Sequence, residues 1–239
     1  MDGRCDNVAG WRRGAFAQYA PAIPFAVWIG LQCILPQTAA YYALRSGATL
    51  AALAVSLALS VNAHSLSPLC VGKALVSQVW GIAVGIAVAA MWILPEHCAF
   101  YREWILWPFG VPTPEPSAPS PYAPEACGWA LTWAKLAGSA FVIAPVEEWF
   151  FRSFLYRWIQ RGRNWRSVDM RKFDMGAFLW TVALFSLEHS PRFAVAAACG
   201  AMYQILAIRR GLAAAVTAHV TTNLLLALYV IRSGDWGFW

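Results

Sequence analysis

The chain has 239 residues, 59% of them hydrophobic and 13% charged, with 14 Trp, 13 Phe and a mean hydropathy of +0.50. A soluble domain carries about a quarter charged residues, so this composition excludes an ordinary soluble enzyme and fits a polytopic membrane protein. The net charge of +6 gathers around 157–172; apolar segments on both sides make this a membrane-surface loop rather than a nucleic-acid patch.

A helix needs about 20 mostly apolar residues to cross about 30 Å of hydrocarbon. Seven segments are candidates: about 15–35, 39–60, 74–94, 128–146 and beyond, 173–189, 192–208 and 212–232. None alternates as a membrane strand does, so the expected fold is all-α, a polytopic integral membrane bundle of about seven (6–8) transmembrane helices. The first segment is too long for a signal-peptide core and reads as a retained anchor. Arg45 near the start of the second, and the short fifth and sixth, are the weak points. Gly81 and Gly85, in GIAVG, have the spacing for close helix packing.

The chain divides into an N-terminal part, 1–127, and a core, 128–239. The first part holds three of the helices and an outer loop containing PTPEPSAPSPYAP. So dense a proline run cannot continue a helix and is expected to be extended and mobile. Cysteines stand at 5, 33, 70, 98, 127 and 199 with no C-x-x-C spacing, which removes a zinc ribbon. Cys98 and Cys127 share the outer loop, where a disulfide is one alternative and free thiols the other.

Seven spans with a cytoplasmic N-terminus leave 13 Lys and Arg inside and 4 outside. This bias gives N-inside, C-outside in a cytoplasmic (inner) membrane, and the Ala- and Arg-rich usage points to a bacterium.

Ionisable residues at membrane depth are costly and point to function. The later segments contain Lys135, Glu147, Glu148, Arg152, Glu188, His189 and His219, with Asn223. The fourth segment continues past Pro145, which should kink it, to about Arg161. Glu147 is then about 21 Å from the basic loop, His189 about 24 Å, and His219 and Asn223 about 14 and 20 Å. Three helices bring polar groups to a common level.

Spacing divides the roles. Glu148 and Arg152 are i, i+4 in the favourable order, so Arg152 neutralises Glu148. Glu147 points about 100° away and is left as a base for water. His219 and Asn223 share a helix face and one target, a developing oxyanion. His189 comes from another helix. The bland alternative is a structural ion pair, core histidines and a Glu188 facing the headgroups.

EEWFFR, FSLEH and HVTTN, in this order, resemble the three motifs of the CPBP family, the CAAX-protease and bacteriocin-processing intramembrane endopeptidases, which include the type II CAAX prenyl endopeptidases. The resemblance covers about 128–226 and implies a CPBP-like catalytic core. It implies hydrolysis of a peptide bond near the C-terminus of a membrane-associated protein, prenylated or bearing a sorting signal. Glu147 would be the base, His189 its partner, and His219 with Asn223 the oxyanion hole, supported by Glu148 and Arg152. Many bacterial members have Gly where Ser153 stands, a difference of packing more than of chemistry. The upstream sequence is similar to CAAX-protease-related proteins linked to exosortase sorting systems, a candidate partner.

No cofactor is expected on this reading. Its zinc-dependent version would use Glu147, His189 and His219 as ligands, although H-E-x-x-H is missing. A non-enzymatic scaffold or bacteriocin-immunity protein is the other alternative, and a proton-coupled transporter a more remote one. The depths and the charge bias together predict a site that opens outward.

Overall fold

The computed structural model describes residues 18–61, 71–106, 120–190 and 192–239. Its long elements are all helical: α1 (Ala22–Ile34), α2 (Ala39–Val61), α3 (Val71–Ile93), a composite helix α4 (129–161), α5 (Met175–Glu188), α6 (Phe193–Arg210) and α7 (Leu212–Ser233). Most of the proline-rich run, with Cys5, Cys70 and the first basic residues, lies outside the described residues.

The expected seven spans are not there. Among the described residues four helices are long and apolar enough to cross a membrane: Ala39–Leu59, Leu75–His97, Trp129–Ser167 and Leu212–Ser233. Local chemistry shortens the others. α1 follows Pro21 and ends just before Pro36, leaving 13 residues. The Asp174 side chain accepts from the Ala177 amide at 2.8 Å and starts α5, which stops at His189 after 14 residues. At 1.5 Å per residue these helices reach only about 20 Å. α6 has 18 residues but includes Gln204, Arg209 and Arg210. The protein is all-α and an integral membrane protein, with four candidate spans.

Among the described residues, α3 and α7 pack backbone against backbone. A Cβ on Gly81 would lie 2.7 Å from the Ala214 carbonyl oxygen, and one on Gly85 would lie 2.5 Å from that of Ala218. The GIAVG spacing thus lets two backbones touch, as small residues do in membrane helix pairs. Val88, Phe151, Phe185, Val195, Cys199, Tyr203, Leu206, Ala214 and Ala218 fill the core between α3, α4, α5, α6 and α7. A second core joins Trp28, Ala39, Tyr42, Tyr122 and Ile143.

α4 is continuous but not regular. Gly138–Ile143 and Trp149–Leu155 are π-helical, on either side of the α-helical turn Ala144–Glu148. The irregularity expected at Pro145 is spread over these two segments. Each widened turn shifts the helix register, as π-bulges do near functional sites.

Arg45 is buried despite its early position in α2. Its guanidinium donates to the carbonyl oxygens of Leu35 (3.4 Å) and Pro36 (3.2 Å) and to Gln37 Oε1 (3.1 Å), tying down the α1–α2 connection. Cys98 and Cys127 are free thiols, not a disulfide. Ser153 has a local use: its Oγ accepts from Arg157 Nη2 at 2.8 Å, and the Arg157 guanidinium rests on Trp165 at 4.5 Å.

Candidate active site

The α-helical turn between the two π segments of α4 presents Glu147 and Glu148. Both are buried, and their surroundings differ as adjacent helical positions require. Glu148 is enclosed. Its Oε2 accepts from Arg152 Nε at 3.1 Å, with both side chains wholly buried. Its Oε1 accepts from His219 Nδ1 at 3.0 Å. Arg152 lies 4.5 Å from the centre of the Phe185 ring.

Glu147 faces a cavity of about 460 Å³, well within the size range of ligand sites. Its Oε2 is 3.8 Å from His219 Nε2, too far for a hydrogen bond, and this buried oxygen has no hydrogen-bond partner among the described residues. His189, Glu188, His219 and Asn223 line the same cavity. The sequence-derived site residues therefore meet, although 72 positions separate Glu147 from His219.

His189, Asn223 and His219 are each held from behind. The carbonyl oxygen of Phe185 can only accept, so His189 Nδ1, 2.9 Å away, carries the hydrogen. In the neutral ring this leaves Nε2 as an acceptor. Asn223 Nδ2 donates to the Ser139 carbonyl oxygen at 3.0 Å and has a second N–H to offer. His219 stacks on Tyr203, with ring centres 4.9 Å apart. Tyr203 Oη in turn donates to Thr222 Oγ1 at 2.7 Å, and Thr222 Oγ1 lies 3.0 Å from the Gly85 carbonyl oxygen. The close α3–α7 contact and the seating of His219 are thus one construction.

Three features escaped sequence reasoning. Glu148 is bonded to His219 as well as to Arg152; spacing along one helix carries no signal for that. Glu188 lines the cavity rather than facing headgroups. The cavity also reaches Lys135, Arg45, Trp28, Tyr42, Tyr122 and Trp239. A signal for Lys135 existed: Lys135, Ser139, Ile143 and Glu147 recur every four residues along α4, and all four line the cavity. Among the described residues no group of three or more His, Cys, Asp or Glu is arranged to hold a metal ion.

The cavity extends from Glu147 toward Gln32 and Gln37, both exposed, at the far end of α1. Near the opposite end of α1, the Gln18 carbonyl oxygen accepts from Trp165 Nε1 at 3.1 Å, within the basic turn after α4. Cavity opening and basic turn therefore lie at opposite ends of α1.

Four apolar helices of spanning length and a polar cavity inside their bundle define a membrane-embedded helical protein. Residues 129–225 match the family model described as type II CAAX prenyl endopeptidase Rce1-like, and over this segment the chain is similar to that family. The match takes in α4 to most of α7, and so Glu147, Glu148, Arg152, His189, His219 and Asn223. No curated protein and no solved structure matches the chain. The match supports CAAX-protease-type hydrolysis within the membrane as the general activity.

Proposed function

We propose that the chain is an intramembrane endopeptidase in which Glu147 activates water. The observation that carries this reading is the contrast between the two glutamates. Glu148 is saturated by Arg152 and His219, whereas Glu147 offers an unpartnered oxygen to the cavity. A carboxylate without a partner at an open cavity can take a proton from water; one held by a guanidinium and an imidazole cannot.

Water held between Glu147 and the His189 Nε2 lone pair gives its proton to Glu147. The resulting hydroxide attacks the scissile carbonyl carbon, and the carbonyl oxygen becomes an oxyanion. The free Asn223 N–H and His219 Nε2–H donate to it. For Nε2 to donate while Nδ1 donates to Glu148, the ring must be an imidazolium, which the Glu148 carboxylate stabilises. When the C–N bond breaks, Glu147 returns its proton to the leaving amine. The substrate class is a membrane-associated protein cut near its C-terminus, and no metal enters a step.

Orientation belongs to the same proposal. The basic turn at 157–172 faces the cytoplasm, and the start of α1 lies on that side with it. The cavity then opens outward, which suits the trimming of exported proteins by a bacterial inner-membrane enzyme, including those of an exosortase-type sorting system. A topology reporter fused at residue 165 should report as cytoplasmic; an external signal overturns the orientation.

The activity is tested on purified protein in detergent. Glu147→Gln should lower peptide cleavage by about 10²–10⁴-fold, the usual contribution of a general base. Exhaustive chelation should leave the wild-type rate unchanged. Wild-type activity in Glu147→Gln would sink the general-base role, and activity lost on chelation and restored by zinc would replace it with the metal-dependent version.

A further inference from the structure

The end of the cavity remote from Glu147 has a chemistry that water activation does not use. Lys135 Nζ lies 3.9 Å from the centre of the Tyr42 ring, 4.9 Å from that of Tyr122 and 5.7 Å from that of Trp239. Arg45 Cζ lies 5.6 Å from the same Tyr42 ring centre and 5.7 Å from that of Trp28. Two cations thus flank one tyrosine and line one cavity.

Neither has an acidic partner within ion-pair distance among the described residues. Arg45 Nε is buried and without a hydrogen-bond partner, although both terminal nitrogens of the same guanidinium are engaged. The ring contacts favour a cation at each position but supply no counter-charge. Two basic side chains inside a bundle with no acid beside them suit an anion.

The position of that anion is set by α4. Lys135, Ser139, Ile143 and Glu147 form one stripe along the cavity wall. Lys135 and Glu147 are 12 residues apart, at most about 18 Å along the helix axis, since the π-helical stretch Gly138–Ile143 rises less per residue. An extended peptide advances about 3.3–3.6 Å per residue, so at most about five residues fit between the two side chains.

We propose that Lys135 and Arg45 form a subsite for the free C-terminal carboxylate of the substrate, which sets the distance from chain end to cut. This rests on the peptidase reading and sharpens it. An enzyme with this subsite prefers a chain end, and it rejects an internal segment or an amidated end because either leaves the cations unpaired. The aromatic walls from Trp28, Tyr42 and Tyr122 receive the apolar side chains of the last residues. Lys135 is the specificity-determining cation to test, because Arg45 also holds the α1–α2 connection.

The probes are fluorescent, S-farnesylated heptapeptides with three apolar C-terminal residues, made as matched free acids and C-terminal amides. Their binding to the full chain in detergent is read by anisotropy in the Glu147→Gln protein, where no cleavage interferes, and their cleavage is read in the wild type. The acid should bind at least tenfold more tightly than the amide. Lys135→Met should abolish that preference, and Lys135→Arg, which keeps the charge, should retain it.

Equal affinity for acid and amide, including no binding of either, overturns the subsite whether or not the Met variant folds. So does a preference that survives in folded Lys135→Met. A peptide that binds with the predicted preference but is not cut by the wild type leaves the carboxylate subsite standing and overturns the peptidase reading instead.

Discussion

At the scale of single residues, two neighbouring acids in one helical turn have opposite situations. Removing one partner of a buried ion pair leaves the other charge uncompensated, at a cost of about 3–5 kcal/mol. Glu148→Ala, which strands Arg152 and frees His219, should therefore lower thermal stability in detergent strongly. Glu147→Gln removes no hydrogen bond seen from Oε2 and should leave the unfolding temperature close to wild type while activity falls. Equal destabilisation by both variants would mean that Glu147 is structural. Asn223→Ala should reduce kcat by about 10²–10³-fold, the usual loss for one oxyanion donor, with little change in KM; a rise in KM alone would make Asn223 a substrate contact.

The glutamate pair was legible because its logic is local. An i, i+4 spacing identifies the partner of Glu148 and leaves Glu147 without one. The Glu148–His219 bond was not legible, since depth along a helix says nothing of the rotation of another helix about its own axis. Lys135 was visible as a charge at membrane depth, yet its aromatic neighbours come from α2, the stretch before α4 and the end of the chain, which no local pattern links.

At the scale of elements, the spacing of Gly81 and Gly85 stated a close contact that the structure contains. The same contact seats His219 through Thr222 and Tyr203. A methyl group on Gly85 would meet the Ala218 carbonyl oxygen at 2.5 Å and Thr221 Cβ at 2.6 Å, both on α7. Gly85→Ala should cost about 1–3 kcal/mol, as overpacking does, and should depress activity further by displacing His219. Gly30, in α1, has open space around it, and Gly30→Ala should stabilise by about 0.4–1 kcal/mol. Unfolding temperatures of the two variants check both signs; a neutral Gly85→Ala would show that α3 is not held tightly on α7.

Three of the spanning helices were readable to within a few residues, because long apolar runs carry strong signals. The count was not, because hydropathy cannot see where caps end a helix. Asp174 starts α5 and the turn at His189 stops it, so the fifth apolar stretch, already short, becomes a helix of 14 residues. α4 shows the reverse: it runs on as one element because its π segments absorb what Pro145 would otherwise break.

At the scale of the whole molecule, charge and cavity are arranged at opposite ends. Basic residues crowd the turn after α4, while the opening near Gln32 and Gln37 leads past Lys135 and Arg45 to Glu147. On the proposed carboxylate subsite, the span from Lys135 to Glu147 sets the length of the fragment released.

The most direct test of Glu147 as the working base is a quantitative comparison of C-terminal peptides from membranes that contain either the wild-type chain or Glu147→Ala at equal abundance. A C-terminally trimmed membrane-associated protein present with the wild type and missing with Glu147→Ala is the predicted result. The same trimmed product at equal yield with Glu147→Ala would contradict it.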